Sequence, residues 1–290
     1  MAAIGMGEYL VGRSHECDFP EEVVALPVCS EPRYKSDGTS SEINKVVREK
    51  LEDALSIYTV DIDLIKSLRP THIITQSQCE VCAVSTDELQ EALKELIEEE
   101  SVTVVDLNPE SMEHIYNDML RIASSLSVET AGEELIANMK KSFSALAERT
   151  VGRNRPSIAH IEWIDPIMVA GHWTYDLIEW AGGDNCFPDP NKRWIGFDEL
   201  VQANPDKIVV APCGFSIEHS LKEMHFLTGN PKWEVLRAVQ NDEVFISDGH
   251  QYFNRSGPRL VDSAEILAEV YHADLGDKYR GRGWIEFEGK

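Results

Sequence analysis

The chain alternates between short runs of β-branched residues and longer segments with helical periodicity. Residues 65–75 combine the end of an amphipathic helix, a turn that contains Pro70 and an apolar run suited to a buried strand. Residues 200–210 repeat this order of elements at similar spacing, with Pro205 in the turn. Helices that alternate with short β-branched strands indicate βαβ units and a mostly parallel sheet.

Each copy of this pattern continues through a polar loop and a helix to a second strand. The predicted helices are residues 88–96 and 218–227, and the predicted second strands are residues 102–107 and 244–247. Because the order of elements agrees in both halves, we expect an α/β fold with two Rossmann-like lobes, each built on its own mostly parallel sheet.

Helical periodicity also fills the segment between the two halves. Ile115 and Met119 recur at helical spacing before a break near residues 125–128, and Thr130 is a candidate N-cap for a second helix. Such a segment predicts a long helix that bridges two lobes with little relative movement. The expected organisation is an N-terminal α/β lobe at residues 1–110, a helical linker at 111–156 and a C-terminal α/β lobe at 157–290.

The chain is strongly acidic, since 27 basic and 51 acidic side chains give its 290 residues a net charge of −24. Nucleic acid and anionic membrane surfaces are polyanions, so this charge argues against both as partners. No apolar run approaches the ~18 residues of a membrane span, so we expect no membrane insertion. The first residues lack the basic and apolar regions of a secretory signal, which predicts a cytoplasmic protein from the sequence as written.

Aromatic, histidine and cysteine side chains concentrate in loops that follow the predicted strands, where open α/β sheets bind ligands. Trp163, Trp173, Trp194 and Phe253 lie in such loops rather than on periodic apolar faces. Several rings in loops favour a large, flat, mostly uncharged ligand held by stacking and apolar area. The complete set of predicted ligand-binding residues is His15, Cys17, Gln76, Cys79, Cys82, Trp163, His172, Trp173, Trp194, Phe215, Tyr252, Phe253 and Arg255.

The pair Cys79-x-x-Cys82 permits three interpretations. A zinc site would need further ligands, for which His15, Cys17 and Cys213 are scattered candidates. A redox site would place the pair where a strand passes into a helix, which is roughly its position. Two small residues packed under a loop are the third interpretation. The predicted metal ligands are His15, Cys79 and Cys82.

The sequence contains no Walker loop and no GxGxxG, GxSxG or HExxH motif. Carboxylates are abundant, yet no pair is distinguished by its context as a general acid and base. His172 is a candidate metal ligand, although an imidazole in a loop is more often simply hydrogen-bonded. The sequence therefore names no candidate for acid–base catalysis. The aromatic loops on a duplicated α/β frame favour the hypothesis of a non-catalytic binding protein without a catalytic cofactor.

Five segments of the chain together resemble a known family. They are residues 10–20, residues 68–74, Ala181-Gly-Gly183, Lys192-Arg-Trp194 and residues 252–259. On these segments the chain resembles class III periplasmic substrate-binding proteins, the helical-backbone type that serves vitamin B12 and iron-complex ABC transporters. The resemblance covers nearly the whole chain, and it is closest to the cobalamin-binding branch.

The resemblance implies two lobes bridged by one long helix, with a corrinoid clamped between them by aromatic side chains. Trp194 occupies a position at which family members stack on the ligand, and Phe253 lies in the corresponding loop of the second lobe. The implied partners are a corrinoid such as cobalamin and the ABC permease subunits that receive it. The candidate acidic residues for docking on the permease are Asp87, Glu88, Glu218 and Glu223.

The start of the chain departs from the family pattern. In family members a strand, a loop and a helix precede the segment that matches residues 5–12. We therefore expect either a truncated start, and with it a periplasmic or otherwise extracytoplasmic protein, or a cytosolic variant without transport duty. His15 and the Cys79-x-x-Cys82 pair are additional to the B12-binding pattern and are candidates for an axial ligand to a metal centre.

Three other functions stay open on the sequence. One is an iron-siderophore or heme carrier of the same fold. An anionic siderophore needs several arginines, and only Arg193, Arg255 and Arg259 are obvious candidates, which makes a corrinoid the favoured ligand. A cytosolic metalloprotein or redox enzyme would use the histidine and cysteine residues named above. A scaffold that kept the fold and lost its ligand is the third.

Overall fold

The computed structural model describes residues 1–34, 37–52, 58–76, 94 and 102–289. The chain forms two compact units, of which the first comprises Met1–Gly38 and Glu42–Ala137 and the second comprises Thr39–Ser41 and Asn138–Lys290. The boundary at residue 137 falls inside a helix of 22 residues. The three-part division at residues 110 and 156 stays a prediction.

The first unit contains two pairs of strands within its described residues. Its strands are β1 (Ser30–Pro32), β2 (Tyr58–Val60), β3 (His72–Gln76) and β4 (Thr103–Leu107). Strand β1 runs antiparallel to β2, and β3 runs parallel to β4 with Ile73 opposite Val104. The parallel pair is the one predicted from the repeated pattern. The helix predicted at residues 88–96, which would connect its two strands, lies outside the described residues.

Two helices, α1 (Ser40–Glu52) and α2 (Ile62–Leu68), precede β3. The carboxylate of Asp61 accepts a hydrogen bond from the backbone N–H of Leu64 at 2.9 Å and so begins α2. Arg69 ends α2 in the left-handed region at φ 49°. Pro70 cannot donate to a further helical turn, so the chain continues extended into β3.

The helical segment between the two halves consists of α3 (Met112–Ser125) and α4 (Glu129–Thr150). Helix α4 begins one residue earlier than the N-cap predicted at Thr130. The connection between α3 and α4 is only residues 126–128, and Ser127 turns the chain with φ 57°, so α4 begins directly after it. A Cβ at Gly132 would lie 2.6 Å from the Cβ of Ala123, so only glycine permits this close approach of α4 to α3.

The second unit is built on one mixed sheet. Its strands are β5 (Ser157–Trp163), β6 (Met168–Val169), β7 (Asp184–Asn185), β8 (Lys207–Val210), β9 (Val244–Ser247) and β10 (Trp284–Glu286). The order is β10-β9-β8-β5-β6, and β7 pairs with β5. Strands β7, β5, β8 and β9 are parallel, whereas β6 and β10 are antiparallel to their neighbours. The predicted α/β class with mostly parallel pairing is confirmed.

The central strands of this sheet are buried on both faces, as their continuous β-branched runs predict. Ile158, Ile161, Ile208, Val210 and Ile246 are fully buried. The surrounding helices are α5 (Thr174–Trp180), α6 (Phe197–Ala203), α7 (Ile217–Glu223), α8 (His225–Thr228), α9 (Arg237–Gln240) and α10 (Leu260–Tyr271). The single helix predicted at residues 218–227 is therefore two short helices. Across the described ranges, no helix has both the length and the apolar character needed to cross a bilayer.

Candidate functional site

Most of the predicted site residues in the second unit lie where its parallel strands end. Strands β5, β8 and β9 run in the same direction, so the loops after them emerge at one edge of the sheet. Helix α5 ends where β7 begins, beside the start of β5 and therefore at the opposite edge of the sheet. The first residues of α5 consequently lie near the edge at which β5, β8 and β9 end. We call this surface the carboxyl edge and define it by Trp163, residues 171–173, Arg193, Trp194, residues 211–219 and residues 248–255.

Three loops of the carboxyl edge are joined through Phe215. Its ring lies 5.2 Å from that of Trp163 and stacks on His219 at 3.7 Å between ring centroids. Its carbonyl oxygen accepts a hydrogen bond from the backbone N–H of His250 at 3.0 Å. Phe215 is buried, whereas Trp163, His219 and His250 are partly exposed. The structure therefore brings Trp163 and Phe215, both predicted as ligand-binding residues, together with two histidines.

A buried ion pair lies beneath this edge. Glu162 projects from β5, and its carboxylate receives a very short contact from Arg193 and a 2.9 Å hydrogen bond from the hydroxyl of Thr174. Burial raises the pKa of Glu162, and the nearby guanidinium of Arg193 opposes that shift. Removing one partner would leave a buried polar group without its counterpart, so Glu162 and Arg193 fix three loops relative to the sheet.

The loop before α5 is shaped by Arg193. A Cβ at Gly171 would lie 2.3 Å from the Nε of Arg193, so the guanidinium occupies the space that a side chain would need. His172 follows in the left-handed region at φ 53°, and the Nη1 of Arg193 lies 3.1 Å from its Nε2. The Nε of Arg193 donates to the carbonyl oxygen of Val169 at 3.4 Å. His172 is held at the edge by this arginine.

Trp194 is presented outward by the same segment. The backbone N–H of Val169 donates to the carbonyl oxygen of Arg193 at 2.8 Å, and that of Ile195 donates to Ile167 at 3.0 Å. These two hydrogen bonds fix the backbone on either side of Trp194. The residue itself is 47% exposed. A large apolar ring held on a fixed backbone and left open to solvent is suited to stacking on a ligand.

Trp173, Tyr252 and Phe253 form part of the core of this unit. The indole N–H of Trp173 donates to the carbonyl oxygen of Phe253 at 2.7 Å in a buried hydrogen bond. The ring of Phe253 is 1% exposed and lies 5.0 Å from that of His160, and Tyr252 lies against Arg259. The loop after β9 folds back on α10 and covers these rings. In this structure they position the carboxyl edge rather than present a stacking surface.

Arg255 and Cys213 have partners on neighbouring loops. The Nη2 of Arg255 lies 3.0 Å from the Nε2 of His250. The thiol of Cys213 donates to the amide oxygen of Asn254 at 3.0 Å. Asn254 also donates to the carbonyl oxygen of Gly249 at 3.0 Å, so this amide ties the loop after β8 to the loop after β9.

The predicted site residues of the first unit lie in separate places. The Nδ1 of His15 lies 2.9 Å from the hydroxyl of Ser30, its ring is 5.0 Å from that of Tyr58, and burial lowers its pKa. Cys17 is an exposed free thiol that accepts a hydrogen bond from Ser14. Gln76 is exposed at the end of β3.

The predicted metal site is not fully within the described residues. Cys79 and Cys82 lie outside them, so the coordination proposed for His15, Cys79 and Cys82 stays a prediction. Within the described ranges, no three His, Cys, Asp or Glu side chains are grouped to hold a metal ion.

The four acidic docking candidates divide into three cases. Asp87 and Glu88 lie outside the described residues. Glu218 is exposed and pairs with Lys222 at 2.8 Å, and that hydrogen bond lowers its pKa. Glu223 is buried, and one of its carboxylate oxygens accepts both the backbone N–H and the hydroxyl of Ser40 at 2.8 Å. The docking role predicted for Glu223 is therefore wrong, because its carboxylate faces the interior.

Sequence reasoning missed Glu162 and His219 as members of the edge. Glu162 could have been identified from the sequence, because a carboxylate inside an apolar strand requires a buried partner. His219 gave no such signal, because it lies on a helix of mixed polarity and reaches the edge only through its stack on Phe215.

Comparison with known proteins places most of the chain in one family. A sequence profile of the family described as periplasmic binding protein matches residues 4–250. The ABC transporter substrate-binding lipoprotein YvrC of Bacillus subtilis is 24% identical over 94% of this chain and 76% of its own length. A vitamin B12-binding protein of Vibrio cholerae is 22% identical over 91% of this chain and 81% of its own.

A solved structure shares the fold over a similar extent. The periplasmic heme-binding protein of Pseudomonas aeruginosa superposes with a TM-score of 0.70 at 17% identity, covering 94% of this chain and 88% of its own. The resemblance read from residues 10–20 and 252–259 is confirmed at the level of the family. This chain belongs to the periplasmic binding protein family.

Proposed function

We propose that this protein is the substrate-binding component of an ABC importer and that its ligand is a corrinoid. The family assignment and the names of its relatives support a binding role in transport. The vitamin B12-binding relative supports the corrinoid, and the heme-binding structural neighbour supports heme as the second candidate. No catalytic role is proposed, because both relatives are named for binding a substrate or ligand.

The main support for a corrinoid is the exposed ring of Trp194, whose backbone is fixed by hydrogen bonds on both sides. An indole face offers a large apolar area to a flat macrocycle and needs no charge on the ligand. Stacking on Trp194 would bury most of a ring that is now 47% exposed, at about 25 cal/mol for each Å² of apolar area removed from water.

The charges of the carboxyl edge support a ligand without a high negative charge. Arg193 is matched by buried Glu162. Burial raises the pKa of Asp248, and Arg255 is among the nearby groups that oppose this shift. An anionic siderophore would need cationic side chains that are not already balanced in this way. A corrinoid carries mainly uncharged amides at its edge and does not need additional cationic side chains.

Heme is the second candidate because histidines lie on this edge. His172, His219 and His250 are all partly exposed there, and imidazole is a common axial ligand of heme iron. The two candidates differ in what they ask of these side chains, since only heme depends on the protein for an axial ligand.

For the delivery step we propose that Glu218 contributes to docking on the permease. It is exposed on α7, and its ion pair with Lys222 is a solvent-facing i,i+4 pair that contributes little to stability. A basic residue of the permease can therefore replace Lys222 at small cost. Asp87 and Glu88 remain candidates on the sequence alone.

The ligand proposal is tested with variants of Trp194. Trp194→Ala should weaken cyanocobalamin binding at least about tenfold, because a stacked ring contributes roughly 0.5–1.5 kcal/mol beyond its buried area. Trp194→Phe should retain most of the affinity, and Val235→Ala removes an exposed apolar side chain away from the carboxyl edge and should change nothing. Equal affinities for Trp194→Ala and the unmodified chain would contradict the proposal. Tighter binding of hemin than of cyanocobalamin would favour the heme carrier.

A further inference from the structure

We propose that Phe253 is a positioning residue for ligand binding: the core of the second unit holds its backbone in a left-handed conformation, and this conformation presets the loop after β9 before the ligand arrives. The inference rests on the proposed function, because the preset loop forms part of the carboxyl edge. The ring of Phe253 is 1% exposed and offers no surface to a ligand, so the residue acts through the loop that it holds.

The backbone of Phe253 adopts a conformation that a bulky residue rarely takes. Its φ is 59°, in the left-handed region, where the side chain crowds its own backbone. Glycine takes this conformation without such crowding. A bulky residue stays in it only where surrounding contacts enforce it, and such residues are concentrated at binding sites and switch regions. Contacts elsewhere in the unit must therefore hold Phe253 in place.

Three buried contacts hold Phe253. Its backbone N–H donates to the hydroxyl of Ser263 on α10 at 3.1 Å. Its carbonyl oxygen accepts the indole N–H of Trp173, just before α5, at 2.7 Å. Its ring packs against that of His160 on β5, at 5.0 Å between ring centroids. The amide, the carbonyl and the side chain are thus each fixed by a different part of the unit, so the loop after β9 is anchored at this residue.

The left-handed turn at Phe253 determines where the partly exposed residues after it lie. Asn254 follows directly, and the thiol of Cys213 donates to its amide oxygen at 3.0 Å. Arg255 comes next, and its Nη2 lies 3.0 Å from the Nε2 of His250. A change of Phe253 to a negative φ would redirect the chain beyond it and break both contacts. The anchors of Phe253 therefore set the form in which this loop meets a ligand.

Weakening one anchor should lower the fraction of molecules whose loop is in place. Without the hydrogen bond from Trp173, the buried carbonyl of Phe253 loses its partner, and relaxed loop conformations become populated. A ligand that needs the preset loop binds only the remaining fraction, so its apparent dissociation constant rises in inverse proportion to that fraction. If the loop exchanges quickly, the association rate falls with the same fraction, whereas the complex dissociates as before.

The variant Trp173→Phe tests this effect, because it keeps an aromatic ring and removes the indole N–H. In stopped-flow measurements with cyanocobalamin its association rate should fall about tenfold while its dissociation rate stays unchanged. Ser263→Ala, which removes the anchor of the backbone N–H, should act in the same direction. Trp284→Phe is the matched control, since that equally buried indole donates to Glu269 at 2.9 Å outside the carboxyl edge, and both rates should stay unchanged.

Three outcomes of the rate measurements would overturn the proposal. The first is an equal association rate for Trp173→Phe and the unmodified chain. The second is a loss of affinity that lies in the dissociation rate, because the indole N–H would then act on the bound complex rather than on the free loop. The third is an equal slowing by Trp284→Phe, because any lost core contact would then be sufficient.

A second measurement needs no ligand. Amide hydrogen exchange at Phe253, followed by NMR, should be slow in the unmodified chain and at least about tenfold faster in Trp173→Phe. Ile208, whose N–H donates to the carbonyl oxygen of Glu243 at 3.0 Å in the central sheet, reports global unfolding and should change much less. Fast exchange at Phe253 in the unmodified chain, or equal acceleration at both amides, would contradict the proposal.

These outcomes are separable from failure of the proposed function. If dialysis shows that the unmodified chain retains hemin and not cyanocobalamin, the corrinoid proposal fails and the same rates are compared with hemin. If the chain retains neither ligand, the proposed function fails as a whole. Exchange at Phe253 in the ligand-free chain still decides whether its anchors preset the loop.

Discussion

His160 is a fully buried imidazole in the middle of β5, and its ring centroid lies 5.0 Å from that of Phe253. Neither ring nitrogen has a hydrogen-bond partner among the described residues. Burial alone lowers the pKa of His160 from 6.5 to about 3, because the charged ring would have to lose its hydration. The folded chain therefore holds this histidine neutral across the physiological range.

This buried histidine predicts an acid-sensitive second unit. Between pH 6.5 and about 3 the unfolded chain binds a proton at His160 that the folded chain does not. Stability must therefore fall as the pH falls through this window, by up to about 1.4 kcal/mol for each pH unit from this group alone. Urea unfolding at pH 7.5 and pH 5 measures the loss.

The variant His160→Leu isolates the contribution of this group from other titrations. Its free energy of unfolding should fall less between pH 7.5 and pH 5 than that of the unmodified chain. His225→Leu, which replaces an exposed histidine, should behave like the unmodified chain. If all three lose the same stability, His160 is not the source of acid sensitivity.

Individual site residues were predictable to different degrees. Trp194 and Trp163 were identified from the sequence and lie on the carboxyl edge, because a ring beside loop residues has no periodic core face to join. The burial of Trp173 and Phe253 was not predictable, since it depends on how the loop after β9 folds back on α10. Sequence spacing contains no information about that tertiary contact.

At the scale of elements, the connection from β6 to α5 depends on the absence of a side chain at Gly171. A Cβ there would collide with the guanidinium of Arg193, which must then leave buried Glu162 or displace the loop. Gly171→Ala should lower the free energy of unfolding by about 1–3 kcal/mol, the range expected when a buried polar group loses its partner. It should also weaken ligand binding, because Arg193 fixes the backbone beside Trp194.

A matched glycine provides the control for this prediction. Gly257 has nothing within 4 Å of the position of a Cβ and does not adopt a positive φ, so Gly257→Ala should be neutral in the same urea titration. Equal stability of the two variants would show that the Gly171 loop can relax around a methyl group. The role assigned to Arg193 would then be contradicted.

The strands were the most predictable elements. The strands predicted at residues 102–107 and 244–247 are found as β4 (Thr103–Leu107) and β9 (Val244–Ser247). Strand β9 is buried throughout, as expected for a strand of a parallel sheet that has apolar side chains on both faces. The helix predicted at residues 218–227 divides into α7 and α8. Helical periodicity continues across such a break, so the pattern contains no signal for it.

At the scale of the molecule, the fold class and the family follow from the order of elements and from segments spread along the chain. The α/β class and the periplasmic binding protein family are confirmed. The ligand is a finer property, since relatives of this fold include proteins named for vitamin B12 and for heme. We propose that a few side chains on the carboxyl edge make that choice, and composition and periodicity do not determine it.

Isothermal titration of the purified protein with cyanocobalamin tests most directly whether the chain binds a corrinoid. We expect saturable heat at micromolar concentrations with a single corrinoid bound per chain, and a much weaker response to hemin. Absence of heat with cyanocobalamin, under conditions in which the protein is folded by circular dichroism, would contradict it.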